Sequence, residues 1–589
     1  MVLRMTWPSG ALPLFVKAPL RFTDALTASP AVGKRWFSAE VSPPAPMAEP
    51  FAATKPANGF RVFVLGESSV AGFPYPRNGT FSRVLRDVLR DVLPADSVEV
   101  VNLGVAATNS FALADVVQEV IAQEPDAVMV YAGHNEYYGA LGSASHEGAT
   151  ALTPGLTRAY LRLLRFRVVL ALRTAMMAAR RRLAGADRPA DEASLMESLA
   201  RGRTIAYQSD AYKRGVRQFE ENLDVVLRAL QAAHVPAFIG SLASNLRDQA
   251  PFAAAQNGAP GGAATIFADA RGALARGDTV TARALFAKAR DVDVVRFRAP
   301  SAFDAVIRRV AASHGAKYVP VAEAFAASAA AATPGQDLFL EHVHPNRAGS
   351  LLLARTYFEA LRDAGFLGHR AEMSRLRSWR EYESGMFLTP LDERVAFHTV
   401  QTLRSRWPFV AAEKQRDYRG TYRPRDLLDS LAFLVSRGGR WEASKLQLAA
   451  NYERRGQADS AAAEYRGLVR DAPFFEEPYR LLGRALLAAH RDDAADTVLR
   501  RARSLAPTAF GSFALAAIAL RRSDVASGIE LLRESLRLDP DNPAALYQLS
   551  LAYGLAHNLD GARATAVRLH QVAPGYPGLA GWLKTIGLQ

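Results

Sequence analysis

The chain has 589 residues, 49% of them hydrophobic, so it can bury a sizeable core and has room for several domains. It contains no cysteine, which excludes disulfides, a thiol nucleophile and cysteine-ligated metal. A formal net charge of +14 favours acidic partners: anionic lipid, acidic polymer or nucleic acid.

Residues 1–58 are rich in Pro and Ala and lack periodicity, and Pro43-Pro44-Ala45-Pro46 reads as a linker. Arg4 precedes an uncharged stretch from Met5 to Val16. Pro8, Gly10 and Pro13 interrupt that stretch and no cleavage site follows, so it does not read as a signal peptide. The texture changes at Arg61-Val62-Phe63-Val64-Leu65, a short apolar run that ends at Gly66 and has a buried-strand pattern. Similar runs cover residues 98–101, 127–131, 236–240 and 317–321, with helical patterns over 81–93, 112–122, 222–234 and 303–314. The alternation predicts an α/β domain over 59–370: a parallel sheet between two helical layers, three layers in all. Sites in such sheets lie beyond the carboxyl ends of the strands.

Two excursions interrupt the alternation, at about 140–215 and 253–295, each readable as a lid or as a packing embellishment. The first holds Arg158 to Arg182, with eight arginines and no acid among leucines, valines and methionines. It reads as a basic amphipathic helix. Its arginine face is either simply solvated or a contact for a membrane surface or acidic polymer. No apolar run approaches the ~20 residues of a spanning helix. Asn245, Arg247 and Asp248 follow the run at 236–240 and are candidate substrate contacts, with a plain polar loop as the alternative. Arg296 and Arg298 read the same way.

Residues 371–439 read as a helical connector. From about 440 to 589 the chain repeats: Pro473, Pro507, Pro540 and Pro574 recur at spacings of 34, 33 and 34 residues. Large residues such as Leu448, Tyr452, Leu482, Leu486, Leu549 and Tyr553 alternate with small ones such as Ala461, Gly483, Ala495 and Ala562. Stacked helical hairpins explain the pattern, which resembles the tetratricopeptide repeat family. That resemblance implies an all-α solenoid that binds a protein partner. Gly277, Ala282, Phe286 and Ala289, in the second excursion, suggest another hairpin of similar build.

Four segments carry chemistry: Gly66-Glu67-Ser68-Ser69, Asn102-Leu103-Gly104, Gly133-His134-Asn135-Glu136 and Glu341-His342-Val343-His344. A serine hydroxyl is a weak nucleophile until a base takes its proton, and imidazole titrates near neutrality. A carboxylate can fix the imidazole tautomer, and backbone or amide N–H groups can meet a developing oxyanion. In order and type the four segments resemble the blocks of the SGNH, or GDSL-type, hydrolases, over roughly residues 59–368. The resemblance implies a flavodoxin-like domain with Ser68 as nucleophile, His344 as base and Glu341 as its orienter. It also implies an oxyanion hole built from Ser68, Gly104 and Asn135.

Glu67, Glu136 and Glu341 each stand where that family has aspartate, so Glu341 must fold back to reach His344. His342 and His134 are given no catalytic task. No metal-binding or phosphate-loop spacing occurs, and no cofactor is implied. The expected activity is hydrolysis of a carboxylic ester, with an acylated carbohydrate among the substrates the resemblance implies. Two alternatives are acyl transfer to a carbohydrate hydroxyl and a non-catalytic interaction scaffold. No aromatic-studded basic motif supports specific nucleic-acid binding. Proteins of this build are often bacterial envelope proteins, which sets the expected location, with the cytoplasm as alternative.

Overall fold

The structure, a computed structural model, describes all residues except 1–11, 21–23, 38–42, 76, 146–152, 167, 170, 174, 177–178, 180–194, 201–202, 254–261 and 589. Arg4 and Met5, and Arg167 and Arg180 to Arg182 of the basic stretch, lie outside the described residues. Two compact units form. One comprises residues 1–388 and 392–425, the other 389–391 and 426–589.

The first unit is built on five parallel strands: β4 (Gly59–Gly66), β5 (Ser97–Gly104), β6 (Ala127–Tyr131), β7 (Ala237–Gly240) and β8 (Lys317–Val319). Their spatial order is β5-β4-β6-β7-β8. That is 2-1-3-4-5 along the chain, the flavodoxin-like doubly wound order. Every residue of β4 is buried, as the unbroken apolar run requires of a strand covered on both faces. Helices Phe81–Val92 and Arg347–Asp363 pack together, as do Ser110–Ile121, Asp210–Ala232 and Ser301–Ser313. These are the helical layers. Register pairs Gly66 with Gly104 on one side and with Tyr131 on the other, so three strands end side by side.

Among the described residues between 12 and 58, the segment read as extension and linker is built into the fold. Strands β1 (Phe15–Lys17), β2 (Ala25–Ala28) and β3 (Phe51–Ala52) form a small antiparallel sheet. Leu14, Val32, Trp36, Phe37 and Phe51 join the main core. Buried charges fasten the segment down. Glu49 accepts from Arg83 (2.8 Å) and from the Asn102 N–H (2.9 Å). The Arg61 guanidinium bonds Glu99 and the Ala52 carbonyl, each at 2.7 Å. Proline and alanine hid a segment whose packing depends on partners far away in sequence. The connector is corrected too. Residues 371–388 and 392–425 belong to the first unit, where Trp407 is a core residue and Phe409 packs against the core.

The second excursion contains a hairpin, Ala263–Ala275 and Thr279–Val292, with Ala282, Phe286 and Ala289 buried. The second unit is a run of such hairpins. Trp441–Arg454 pairs with Ala458–Asp471, Glu476–Ala488 with Asp492–Leu505, Ala509–Arg521 with Val525–Leu538, and Pro543–Leu555 with Leu559–Val572. Small residues sit where helices cross: a Cβ on Gly483 would come within 2.5 Å of the Leu499 side chain.

Candidate active site

Ser68 opens the short helix Ser68–Ala71 directly after β4, and its Oγ lies 2.7 Å from His344 Nε2. The His344 ring is covered by Phe73 at 4.5 Å and is held from behind by Glu341. Glu341 does fold back. Its Oε1 accepts from His344 Nδ1 and from the His344 backbone N–H (2.9 Å). Its Oε2 accepts from His342 Nδ1 and from the His342 backbone N–H (2.7 Å). A fully buried carboxylate thus meets four N–H donors, which offset its desolvation.

With Nδ1 donating to Glu341, His344 presents Nε2 to Ser68 as an acceptor. Burial pulls the His344 pKa down to about 3, so the ring is neutral. His342 is held neutral by burial and by the neighbouring His344. Phe252, Phe297 and Phe409 surround its ring edge to face. Ligand-type atoms of Glu341, His342 and His344 lie within 4.8 Å of one another. A metal bound there would have to displace the carboxylate's hydrogen bonds to both rings.

The other two glutamates are also buried braces. Glu67 accepts from the N–H groups of Gly133 (2.9 Å) and Asn135 (3.1 Å), and so fixes the loop after β6. Burial, with Glu136 nearby, raises its pKa to about 8. Glu136 accepts from the Ser110 N–H (3.1 Å) and hydroxyl (2.7 Å) at the start of helix Ser110–Ile121. A carboxylate is favoured at that helix end, and burial raises its pKa to about 7.

Of the expected oxyanion donors, the N–H of Ser68 and the side-chain amide of Asn135 make no hydrogen bond among the described residues. Gly104 is a correction. Its N–H donates to the Asn102 side chain (2.8 Å) and is therefore occupied. A Cβ at Gly104 would lie 2.3 Å from the Ala71 nitrogen. Gly104 is a glycine because the Ser68 helix rests on it.

Ala107, three residues on, has the free N–H. It is half-buried, holds a positive φ of 57°, and its N–H has no partner among the described residues. Its carbonyl accepts from Ala140 (2.9 Å), while Gly139 donates to the Asn135 carbonyl (2.6 Å). Gly139 and Ala140 thereby tie the Ala107 turn to the Asn135 loop. An alanine carries no sequence mark of a left-handed turn, which is why Ala107 was missed.

Asn245 and Arg247 lie against the chain segment that leads to Glu341 and His344. Asn245 is fully buried and donates its N–H to the His342 carbonyl (2.9 Å). Arg247 is committed to Asp248 (3.0 Å), Asp337 (3.1 Å) and the Ala330 carbonyl (2.9 Å). Both brace the segment that carries Glu341 and His344, and the Asn245 Nδ2 is buried without a hydrogen-bond partner among the described residues. Arg296 and Arg298 are buried and donate to backbone carbonyls, Ile205 and Asn245 among them, while the Nη2 of each is buried without a hydrogen-bond partner among the described residues. His134 is buried and accepts from the Ala299 N–H (3.2 Å).

Fold and site together define a doubly wound α/β domain with a Ser68–His344–Glu341 relay beyond the carboxyl ends of its strands, followed along the chain by stacked helical hairpins. No family model matches the chain, and no curated protein matches it. Among solved structures, Axe2, an acetylxylan esterase from Geobacillus stearothermophilus, is 14% identical. It covers 51% of this chain and 94% of its own, at a TM-score of 0.27. TesA is 12% identical and covers 51% and 98%, at 0.26. TTC0263, a thermophilic TPR protein of Thermus thermophilus, is 20% identical and covers 28% and 89%, at 0.23.

Proposed function

We propose that the protein is a serine esterase that cleaves a carboxylic ester through an acyl-enzyme on Ser68. The observation that carries this reading is the unbroken relay from Ser68 Oγ through His344 to Glu341. In the first step Ser68 Oγ bonds to the ester carbonyl carbon while its proton passes to His344 Nε2. The former carbonyl oxygen becomes an oxyanion, and the Ser68 N–H, the Ala107 N–H and the Asn135 amide are the donors free to receive it. His344 then gives its proton to the departing alkoxide, leaving acyl-Ser68 and a free alcohol. Water repeats the sequence: it loses a proton to His344, attacks the acyl carbon and releases the acid with Ser68 restored. Glu341 stays ionised throughout and stabilises the imidazolium formed in each half.

The test is labelling by a fluorophosphonate and turnover of p-nitrophenyl acetate, comparing wild type with Ser68→Ala. Labelling and hydrolysis that vanish together in the variant support the esterase. An unlabelled wild type, or equal turnover by the variant, would sink it. The hairpin unit is the part suited to holding a protein partner, by the general habit of such solenoids.

A further inference from the structure

We infer that the stretch from Leu156 to Met176 docks the protein onto an anionic lipid surface. The stretch has two apolar faces. The inner face is satisfied: Leu161 and Leu164 are core residues, and Tyr160 and Val169 pack against the core. The outer face is not. Leu156, Leu163, Val168, Leu172 and Met176 are 55%, 52%, 45%, 62% and 57% exposed. Helix Pro154–Leu163 carries the first two, seven residues apart. The described residues from Val168 to Met176 are also helical, and three of the five recur there every fourth position. Both spacings keep one side of a helix facing out. Single exposed apolar side chains need no explanation, but a helical row of them marks an interaction surface.

Charge selects the occupant. No acidic residue occurs between Glu147 and Asp187, while eight arginines do. Three of those arginines anchor the stretch to its own domain. Arg158 bonds Asn222 (2.7 Å), Arg165 pairs with Asp115 (2.9 Å) and Arg173 donates to backbone carbonyls of residues 35 and 37. Arg162, on the same helix as Leu156 and Leu163, is exposed and forms no ion pair among the described residues. Exposed leucine and methionine beside uncompensated arginine is the composition of a helix lying in a lipid headgroup layer. The acids beside this stretch come from other elements, Glu221 against Arg158 (3.7 Å) and Glu119 against Arg165 (3.3 Å), and a protein partner for an apolar helix face would not need a stretch with no acid of its own. Anionic headgroups exploit it.

Flotation of the full chain with lipid vesicles tests the inference. Wild type is expected to float with vesicles of phosphatidylcholine plus phosphatidylglycerol, to stay in the load with phosphatidylcholine alone, and to be released by high salt. The variant L163S/L172S/M176S should lose at least tenfold in vesicle binding, with its melting temperature and p-nitrophenyl acetate turnover unchanged. Arg162→Glu should weaken binding to the anionic vesicles. Wild type that does not float, that floats equally with neutral lipid, or whose binding the variants leave intact would overturn the inference. So would a dimer that the triple variant converts to monomer without any lipid binding, since the face would then join two copies.

Discussion

Glu341 has one more methylene than an aspartate, and the extra length lets it serve two histidines at once. One oxygen takes the His344 ring and the other takes His342. Glu341→Gln removes the charge that stabilises the imidazolium and sets an amide against one of the rings. It should lower kcat by up to about 10⁴-fold, the scale set by losing an orienting carboxylate in a serine triad. An unchanged rate would mean that Ser68 and His344 work as a dyad. His342→Phe keeps an aromatic ring among Phe252, Phe297 and Phe409 but removes one hydrogen bond to the carboxylate. Such a bond is worth roughly 1.5–3 kcal/mol, so kcat should fall about 10- to 100-fold with KM little changed. A KM effect alone would make His342 a mere packing residue. Asn135→Ala should cost on the order of 10²–10³ in kcat through the oxyanion. Gly104→Ala should act differently, by pushing on the Ala71 backbone and lowering the melting temperature along with the rate.

At the scale of elements, the loops after β4 and β6 are joined by buried carboxyls. Glu67 and Glu136 hold their protons more tightly in the fold than in the unfolded chain, since burial raises them to about 8 and about 7 from 4.5. Above pH 4.5 the unfolded chain ionises these groups freely and the folded one does not. Their contribution to stability is therefore full below that pH and is lost as pH rises through about 7 and about 8. The melting temperature should fall across that window, and Glu67→Gln should flatten the fall. A wild type that melts at the same temperature at both ends would show that these carboxyls ionise normally.

Strands and helices were legible because apolar runs and helical spacing depend on neighbours in sequence. Turns were less so. The intra-hairpin turns of the second unit place Gly456, His490, Ser523 and His557 at positive φ, at equivalent points of the four hairpins. Glycine marks only the first. In the others the hairpin's packing imposes a conformation that the residue does not favour. Ala107 was hidden in the same way.

At the scale of the whole molecule, the described residues between 12 and 58 pack into the core for a reason that periodicity does not show. Periodicity reports an element that forms one face by itself. Leu14, Trp36 and Phe51 are single anchors, and each finds its place only against a sheet built later in the chain. The charged groups follow the same logic. Glu49 has no local partner, yet in the fold it joins Arg83 to the backbone of β5 at Asn102, two residues before Gly104. The N-terminal segment therefore belongs to the foundation of the site. Glu49→Ala should destabilise the fold by about 3–5 kcal/mol, the usual cost of taking one partner from a buried ion pair. Denaturant unfolding followed by the fluorescence of a variant that keeps Trp36 and has the other five tryptophans replaced by Phe measures this, because Trp36 then reports on the segment itself. Glu49→Gln should recover part of the loss, since its amide oxygen can still accept one of the two N–H groups. If both variants unfold at the wild-type midpoint, the segment is an appendage and the sheet stands without it.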